Sequence, residues 1–592
     1  MNGVLLIQLP LHPGTAWEPT GNIPLAPARL AAQANLPKSS ILSEEKLNTM
    51  GDRALLNELL EQNPELIGAT LYLWNRARTI HLLREYKKIH QDVLIVAGGP
   101  EVTSDNAVLL KESCVDLFVA GEGEIRASEI LNPETVKAIL KTGTRFLAPV
   151  IDTSPPDRWT DPYETGHLIP EPGGSAHMET QRGCCNLCSY CAYRRTSPVP
   201  RITPASTALE KIRHLKELGV EELIFLDPTF NARPDLKELL KGLKEMNLQS
   251  FAEVRGDLLR EEHGAALRAA GFTSLEVGLQ TMNDKVLKSV GRGGNPQSII
   301  RGAGYLEAAG ITPVMDLILG LPGDHPESIL QAAETFTEKS IAEQVQTFCI
   351  SVLPGTEIRS KACSLDIEFR DTPPYCITKS GDQTLQSLLK TREEVSDILG
   401  YDADPPPRPV FCRNFPGMEI FTPEKPSTAI PPSVRHGVLR ITTEDAWAHR
   451  VTIMKKIKER RDSDPFCPLD IIIESMREFP LNLLDMIKEL PEPECYDREK
   501  AVIYNVPSLI RPGVIAPDDS DMEWLMECSS LAVTVTRSCH PIVPSGREIG
   551  LLLMGSHDLA TLSAQYAEIA HLVFFDLPEL ERLWNLDVLG LG

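Results

Sequence analysis

Four cysteines, Cys184, Cys185, Cys188 and Cys191, fall within eight positions of the stretch METQRGCCNLCSYCAYRR. Cys188 and Cys191 alone would make half of a zinc site, but no second Cys-x-x-Cys or His-x₃-His pair follows. A thioredoxin-like pair would open a helix after a strand and leave Cys184 unused. The register Cys184-x₃-Cys188-x₂-Cys191 instead offers three thiolates on one short loop. Three thiolates can hold three irons of a [4Fe–4S] cube and leave the fourth iron open to bind and reduce a ligand. In this reading Cys185 is a loop residue between the ligands.

The surroundings of this register resemble the radical S-adenosylmethionine (SAM) enzymes. Arg182 and Gly183 lead into the loop after a strand placed at Thr180, and the aromatic residue before the last cysteine is Tyr190. The resemblance puts Tyr190 near the adenine. Downstream, short apolar runs alternate with helical patterns: EELIFLD, QSFAEVRGD, TSLEVGLQT, TPVMDLILGLPGD and VQTFCISVLPGTE, the pattern of repeated β/α units. With the strand at Thr180 these make six. The resemblance implies a partial (β/α)6 TIM-like barrel with its site at the carboxyl ends of the strands. Polar strand-end residues are therefore the candidate SAM contacts. Asp227 and Asn231 stand where many relatives carry a glycine-rich segment that binds the methionyl amine. Glu253 and Arg255 place two charges on one strand face, which is costly inside a barrel unless a ligand or partner satisfies them. Arg255 suits the cofactor carboxylate, and Gln280, with Glu276 competing, suits the ribose. For each of these the rival reading is a structural ion pair at the barrel rim.

The amino-terminal third reads as an open parallel sheet, from GVLLIQL through ELIGATLYLW and DVLIVAGGP to VDLFVAGEGE. Its runs are continuously apolar, as in sheets buried on both faces, and its glycines stand at strand ends, where such sheets bind ligands. In this order, ahead of the cysteine register, the set resembles the cobalamin-binding domain fused to many radical SAM enzymes, with a doubly wound, Rossmann-like fold. The resemblance assigns the cobalamin cradle to Thr70, Trp74, Gly98, Gly99, Gly121, Glu122 and Gly123. Glycine lets a nucleotide tail lie against the backbone. The first loop, LPLHPGTAW, lacks the Asp-x-His-x-x-Gly pattern of cobalt-ligating domains, so the corrin is expected to sit without His12 on cobalt. Trp74 would then be a lid on the lower face of the ring.

The expected division is a cobalamin-binding domain at 1–150, a proline- and glycine-rich linker at 151–176 and the barrel at 177–400. A proline-rich spacer at 401–432 and a small α/β or α+β domain at 433–592 follow; this last part is expected to concern the substrate. Over 592 residues the net charge of −23 argues against a nucleic-acid partner. No apolar run is long enough to span a membrane, and the lack of a signal-like start points to the cytoplasm. The resemblance implies a cobalamin-dependent radical SAM methyltransferase. It would act on an unactivated carbon or on phosphorus of a small-molecule or peptide substrate, through methylcobalamin and a 5′-deoxyadenosyl radical. Its cofactors would be a [4Fe–4S] cluster, SAM and cobalamin, with a flavodoxin or ferredoxin as electron donor. The same architecture also serves cyclases and ring-rearranging enzymes. A non-catalytic cobalamin or redox sensor is the remaining class.

Overall fold

The computed structural model describes residues 3–10, 22–193, 200–341, 344–401, 415, 417–425, 430–475, 482–490 and the strands Ile510–Ile515, Thr534–Thr536, Gly550–Leu553 and Val573–Phe575. The chain divides into two compact units. One comprises Met1–Leu9, Asn22–Glu44 and Gln62–Pro405; the other comprises Pro10–Gly21, Glu45–Glu61 and Pro406–Gly592.

The first unit begins with strands β1 (Val4–Ile7), β2 (Leu66–Thr70), β3 (Leu94–Gly98), β4 (Leu117–Val119) and β5 (Phe146–Leu147). All pair in parallel, in the order β1-β2-β3-β4-β5. Leu6, Leu66, Val96 and Leu117 share a core with Ala31 of the helix Leu25–Gln33 and with Ile130 and Val136. The strands follow chain order without the reversal of a doubly wound sheet. Each connection steps one strand further in the same direction, so the expected parallel α/β layer is wound one way.

The barrel strands follow. β6 (Ser175–Met178) leads to the short antiparallel pair β7 (Gln181–Arg182) and β8 (Arg201–Ile202). β9 (Glu222–Phe225) and β10 (Gln249–Phe251) join β6 in one parallel sheet. β11 (Glu253–Val254), β12 (Ser274–Gln280), β13 (Thr312–Leu319) and β14 (Gln344–Cys349) form another. β10 and β11 are one stretch of chain broken at Ala252, so six parallel positions run in sequence, as a partial (β/α)6 barrel requires. The first strand lies earlier than Thr180 and starts inside the proline- and glycine-rich stretch. Thr180 has left the sheet because its N–H donates to Asp227 at 2.7 Å. A small antiparallel sheet of β15 (Ile367–Phe369), β16 (Ile377–Ser380) and β17 (Gln383–Thr384) follows the barrel.

The second unit is built on β18 (Met418–Phe421), β19 (Gly437–Thr443), β20 (Leu469–Ser475), β21 (Ile510–Ile515), β22 (Thr534–Thr536), β23 (Gly550–Leu553) and β24 (Val573–Phe575). These pair in parallel in chain order, which decides for α/β over α+β. Leu439, Ile441, Ile471 and Ile473 pack against Ile453 and Ile457 of the helix Arg450–Ser463. The helix Asp52–Gln62, early in the chain, opens within this unit. Asp52 accepts from the Phe466 N–H at 2.8 Å, and Asp464 accepts from the Arg53 N–H at 3.0 Å. Among the described residues no helix is long and apolar enough to cross a membrane.

Candidate active site

The cysteine loop is held at its base and along its length. β7 and β8 close the base, and Gly183 turns the chain with φ 79°. Leu187 N–H then donates to the Gly291 carbonyl at 3.2 Å, Ser189 N–H to the Val290 carbonyl at 2.8 Å, and Gly293 N–H to the Asn186 side chain at 3.3 Å. The platform is the stretch Val290-Gly-Arg-Gly-Gly294. Gly291 has φ 75°, and a Cβ there would lie 2.5 Å from the Leu187 carbonyl oxygen, so only glycine allows this approach. The platform was missed in the sequence, although two Gly-rich turns beside an arginine were there to be weighed.

Cys188 is buried, Cys184 and Cys191 are half-buried, and all three are free thiols. The Asn186 N–H donates to the Cys184 sulfur at 3.4 Å, the kind of contact that tunes iron–sulfur groups. Among the described residues no three His, Cys, Asp or Glu side chains gather as ligands of a single ion. A cube places its three thiolates on three different irons, so three free thiols on one pinned loop fit it without converging on a point. Cys185 is exposed and turns to another partner: Arg255 donates to its sulfur at 3.3 Å.

Behind the loop, the barrel carries three carboxylates on adjacent strands. Glu253 of β11 is in register with Glu276 of β12, and Asp316 of β13 is in register with Gly278 of β12. Burial, then the Glu276 charge, pushes the Glu253 carboxyl up to about 7. Asp316 is raised well above the carboxylate range by burial and Glu276, and its Oδ1 has no hydrogen-bond partner. Glu276 is raised by burial against a hydrogen bond with Asp316 that lowers it. Among the described residues one cation, Arg292, acts on this group. Arg292 donates to the Gly278 carbonyl at 2.5 Å, lies beside Tyr190 and Cys188, and lowers the carboxyls of Glu253 and Asp316; its Nε has no partner.

Gln280 closes β12 at a register shift, with φ 74° and its buried Oε1 unpartnered. A non-glycine residue held in the left-handed region with an unused acceptor is the kind of strain found at ligand sites. Gly278 leaves room for it: a Cβ there would meet Gln280 Nε2 at 2.2 Å and Arg292 Nη2 at 2.6 Å. Tyr190, the expected adenine neighbour, lies against Cys188 and Arg292. The other strand-end candidates are turned inward on the protein. Asp227 is raised to about 6 by burial while Thr180 and Gln181 bond it. It ties the loop entry to β9. Asn231 and Arg255 exchange two hydrogen bonds through the Arg255 backbone, at 2.8 and 2.9 Å. The Arg255 guanidinium is paired with Asp257 at 2.5 Å.

In the amino-terminal sheet, Thr70 is buried at the end of β2, and Trp74 is 46 % exposed and stacked on Tyr72 at 4.5 Å. Gly99, at φ 101°, is required by the fold, since a Cβ would lie 2.6 Å from the Leu71 carbonyl. Gly98 is not: a Cβ there meets only the Val119 carbonyl, at an ordinary 3.5 Å. A bare, half-exposed strand end that the protein itself does not need bare fits a ligand lying against it. Gly121 has φ 82° with Pro149 against it, and Gly123 packs on Leu30. The Glu122 carboxylate is taken by Arg201 and, at 3.2 Å, by Arg182. Arg182 also pairs with Glu124 and with Glu179 at 2.8 Å, and Arg29 pairs with Glu179. Burial pushes the Glu179 carboxyl up, but Arg182 and Arg29 outweigh it and bring it down to about 2. This ionic group links the GEGE turn to the cysteine loop. His12 lies outside the described residues.

Residues 178–336 match the radical SAM superfamily, and residues 46–131 match the B12 binding domain. An uncharacterized methyltransferase of Pyrococcus horikoshii is 23 % identical over 321 residues, 50 % of this chain and 69 % of that protein. The 2-(S-pantetheinyl)-carbapenam-3-carboxylate methyltransferase of Streptantibioticus cattleyicolor is 23 % identical over 381 residues, 57 % of this chain and 56 % of that one. The radical S-adenosylmethionine methyltransferase TsrM of Kitasatospora setae superposes with a TM-score of 0.47 at 18 % identity, covering 60 % of this chain and 74 % of its own. The chain thus spans from about half to just over two thirds of the curated relatives it matches.

Proposed function

From a chain that joins a B12 binding domain to a radical SAM domain, we propose a cobalamin-dependent radical SAM methyltransferase. The cofactors that go with these domains are a [4Fe–4S] cluster, SAM and cobalamin. The observation that carries the reading is the cysteine loop pinned on the Gly291 platform, with Arg292 and three inward carboxylates behind it.

When bound, the cluster and SAM supply a 5′-deoxyadenosyl radical, and cobalamin supplies the methyl group. Cys184, Cys188 and Cys191 would hold three irons. Arg292, a half-buried cation whose buried Nε has no partner, suits the methionyl carboxylate better than Arg255, which is already paired with Asp257. Glu253 and Asp316 offer carboxyl oxygens as acceptors to the ammonium or the ribose, and Gln280 offers a free carbonyl to the ribose. Tyr190 stands beside them for the adenine. Thr70, Gly98, Gly99, Gly121, Gly123 and the exposed Trp74 would form the corrin cradle, and Glu122 would act there through Arg182 and Arg201. The substrate would be a small molecule or peptide, and an electron donor is required.

The test is anaerobic incubation of reconstituted protein with cobalamin, reductant, SAM and candidate substrates or cell extract, followed by mass spectrometry. 5′-Deoxyadenosine together with S-adenosylhomocysteine and a product heavier by one methylene unit is the expected result. Deoxyadenosine without homocysteine would replace methyl transfer by cyclisation or rearrangement. Neither product under strong reduction would leave a sensor.

A further inference from the structure

Ser189, the residue after Cys188, lines a recess of about 640 Å³. Its place is fixed: its N–H donates to Val290, and its carbonyl accepts from Ile358 at 3.0 Å. Val286, Val290 and Ile358 give the recess an apolar floor, and Lys285, His325 and Lys361 stand in its wall. Leu187, on the other side of Cys188, is 49 % exposed. Lys285 is exposed and has no ion pair among the described residues. Lys361 pairs locally with Glu357 at 2.7 Å, and Lys288, on the same short helix as Lys285, pairs with Asp284. Exposed pairs of this kind contribute little and exchange readily for an incoming partner.

We propose that this recess is the docking place of a small acidic one-electron carrier protein, an inference that rests on the reading above. Charge complementarity is the argument. A chain with a net charge of −23 repels an acidic carrier over most of its surface. The wall of this recess instead offers Lys285, Lys361 and His325 against Glu357, and the Lys288–Asp284 pair on the same short helix as Lys285 adds no net charge. Charge of the right sign steers encounter and fixes orientation, and redox partners meet through small interfaces of this kind. The position supplies the second argument, because the recess wall includes a residue of the cysteine loop itself. The carrier is oxidised by one electron. That electron is consumed in breaking the S–C5′ bond of SAM, which yields methionine and the 5′-deoxyadenosyl radical.

The test uses the reconstituted holoenzyme and a reduced acidic flavodoxin as the probe. Calorimetry gives its Kd, and deoxyadenosine formation gives its KM. In the double variant K285E/K361E, Kd and KM should both rise at least tenfold at low salt, with the gap narrowing as salt is added. Deoxyadenosine formation driven by dithionite should stay at the unaltered rate. A K241E control, on the exposed face of the helix Leu236–Met246, should leave both constants unchanged. Kd and KM within twofold of the unaltered protein would overturn the docking assignment. If the unaltered protein makes no deoxyadenosine even with dithionite, the functional reading fails, while the calorimetric Kd still decides the docking surface.

Discussion

At the scale of single residues, the chemistry was legible where residue type and spacing coincide, and illegible where it depends on direction. The cysteine register could be read because thiols are rare and tightly spaced. The choice between Arg255 and Arg292 could not, because only the structure shows that Asp257 holds the first and that the second, on a loop between two helices, reaches back to Gly278 of β12. Arg292→Gln should therefore weaken SAM binding by tenfold or more, the size of a lost charge-assisted bond, while the same change at Arg255 has the smaller effect. Equilibrium binding of SAM to the reconstituted protein reads this directly. Glu253 makes a second prediction. Its folded value of about 7 lies above the ordinary 4.5, so between these values the folded chain keeps a proton that the unfolded chain has released. Stability of the cofactor-free protein falls as pH rises through this window, by about 3 kcal/mol in full above pH 7. Glu253→Gln should flatten that fall. Denaturation midpoints at pH 5 and pH 8 would show it, and an unchanged pH dependence would refute it.

At the scale of elements, apolar runs located most strands, since a buried parallel strand has little else in it. What the runs do not encode is register and order. The bulge that turns Gln280 inward, the early start of β6 and the one-way order of the amino-terminal sheet all depend on pairing between distant segments. The loop platform is of this kind. Gly291→Ala would push a methyl group into the Leu187 carbonyl in a backbone conformation that alanine resists. The variant should keep its secondary structure and all its cysteines, yet lose most of its iron on reconstitution. Iron and sulfide analysis beside circular dichroism tests this. Full iron content would show that the platform does not position the loop.

At the scale of the whole molecule, composition and proline-rich stretches suggested a front, a middle and a tail, and they hid a discontinuity. The helix Asp52–Gln62 lies within the sequence span that matches the B12 binding domain. Its first turn is nonetheless bonded to Phe466 and Asp464 of the second unit, and Ser433 accepts from the Gly51 N–H at 3.2 Å. No local pattern announces this, because the partners are some four hundred residues away. A chain ending at residue 405 deprives Asp52 and Arg53 of those partners. It should show fast amide exchange across 52–62 where the full chain is protected, and equal protection in both would refute the coupling.

That stitch bears on how such a protein can be cut and rejoined. A single splice near residue 405 would carry away the sheet and leave its helix behind with another owner. Exchanging the carboxyl-terminal unit intact takes a second insert around residues 45–61, so the two parts of the chain are expected to travel together through recombination, whether in a genome or on a bench.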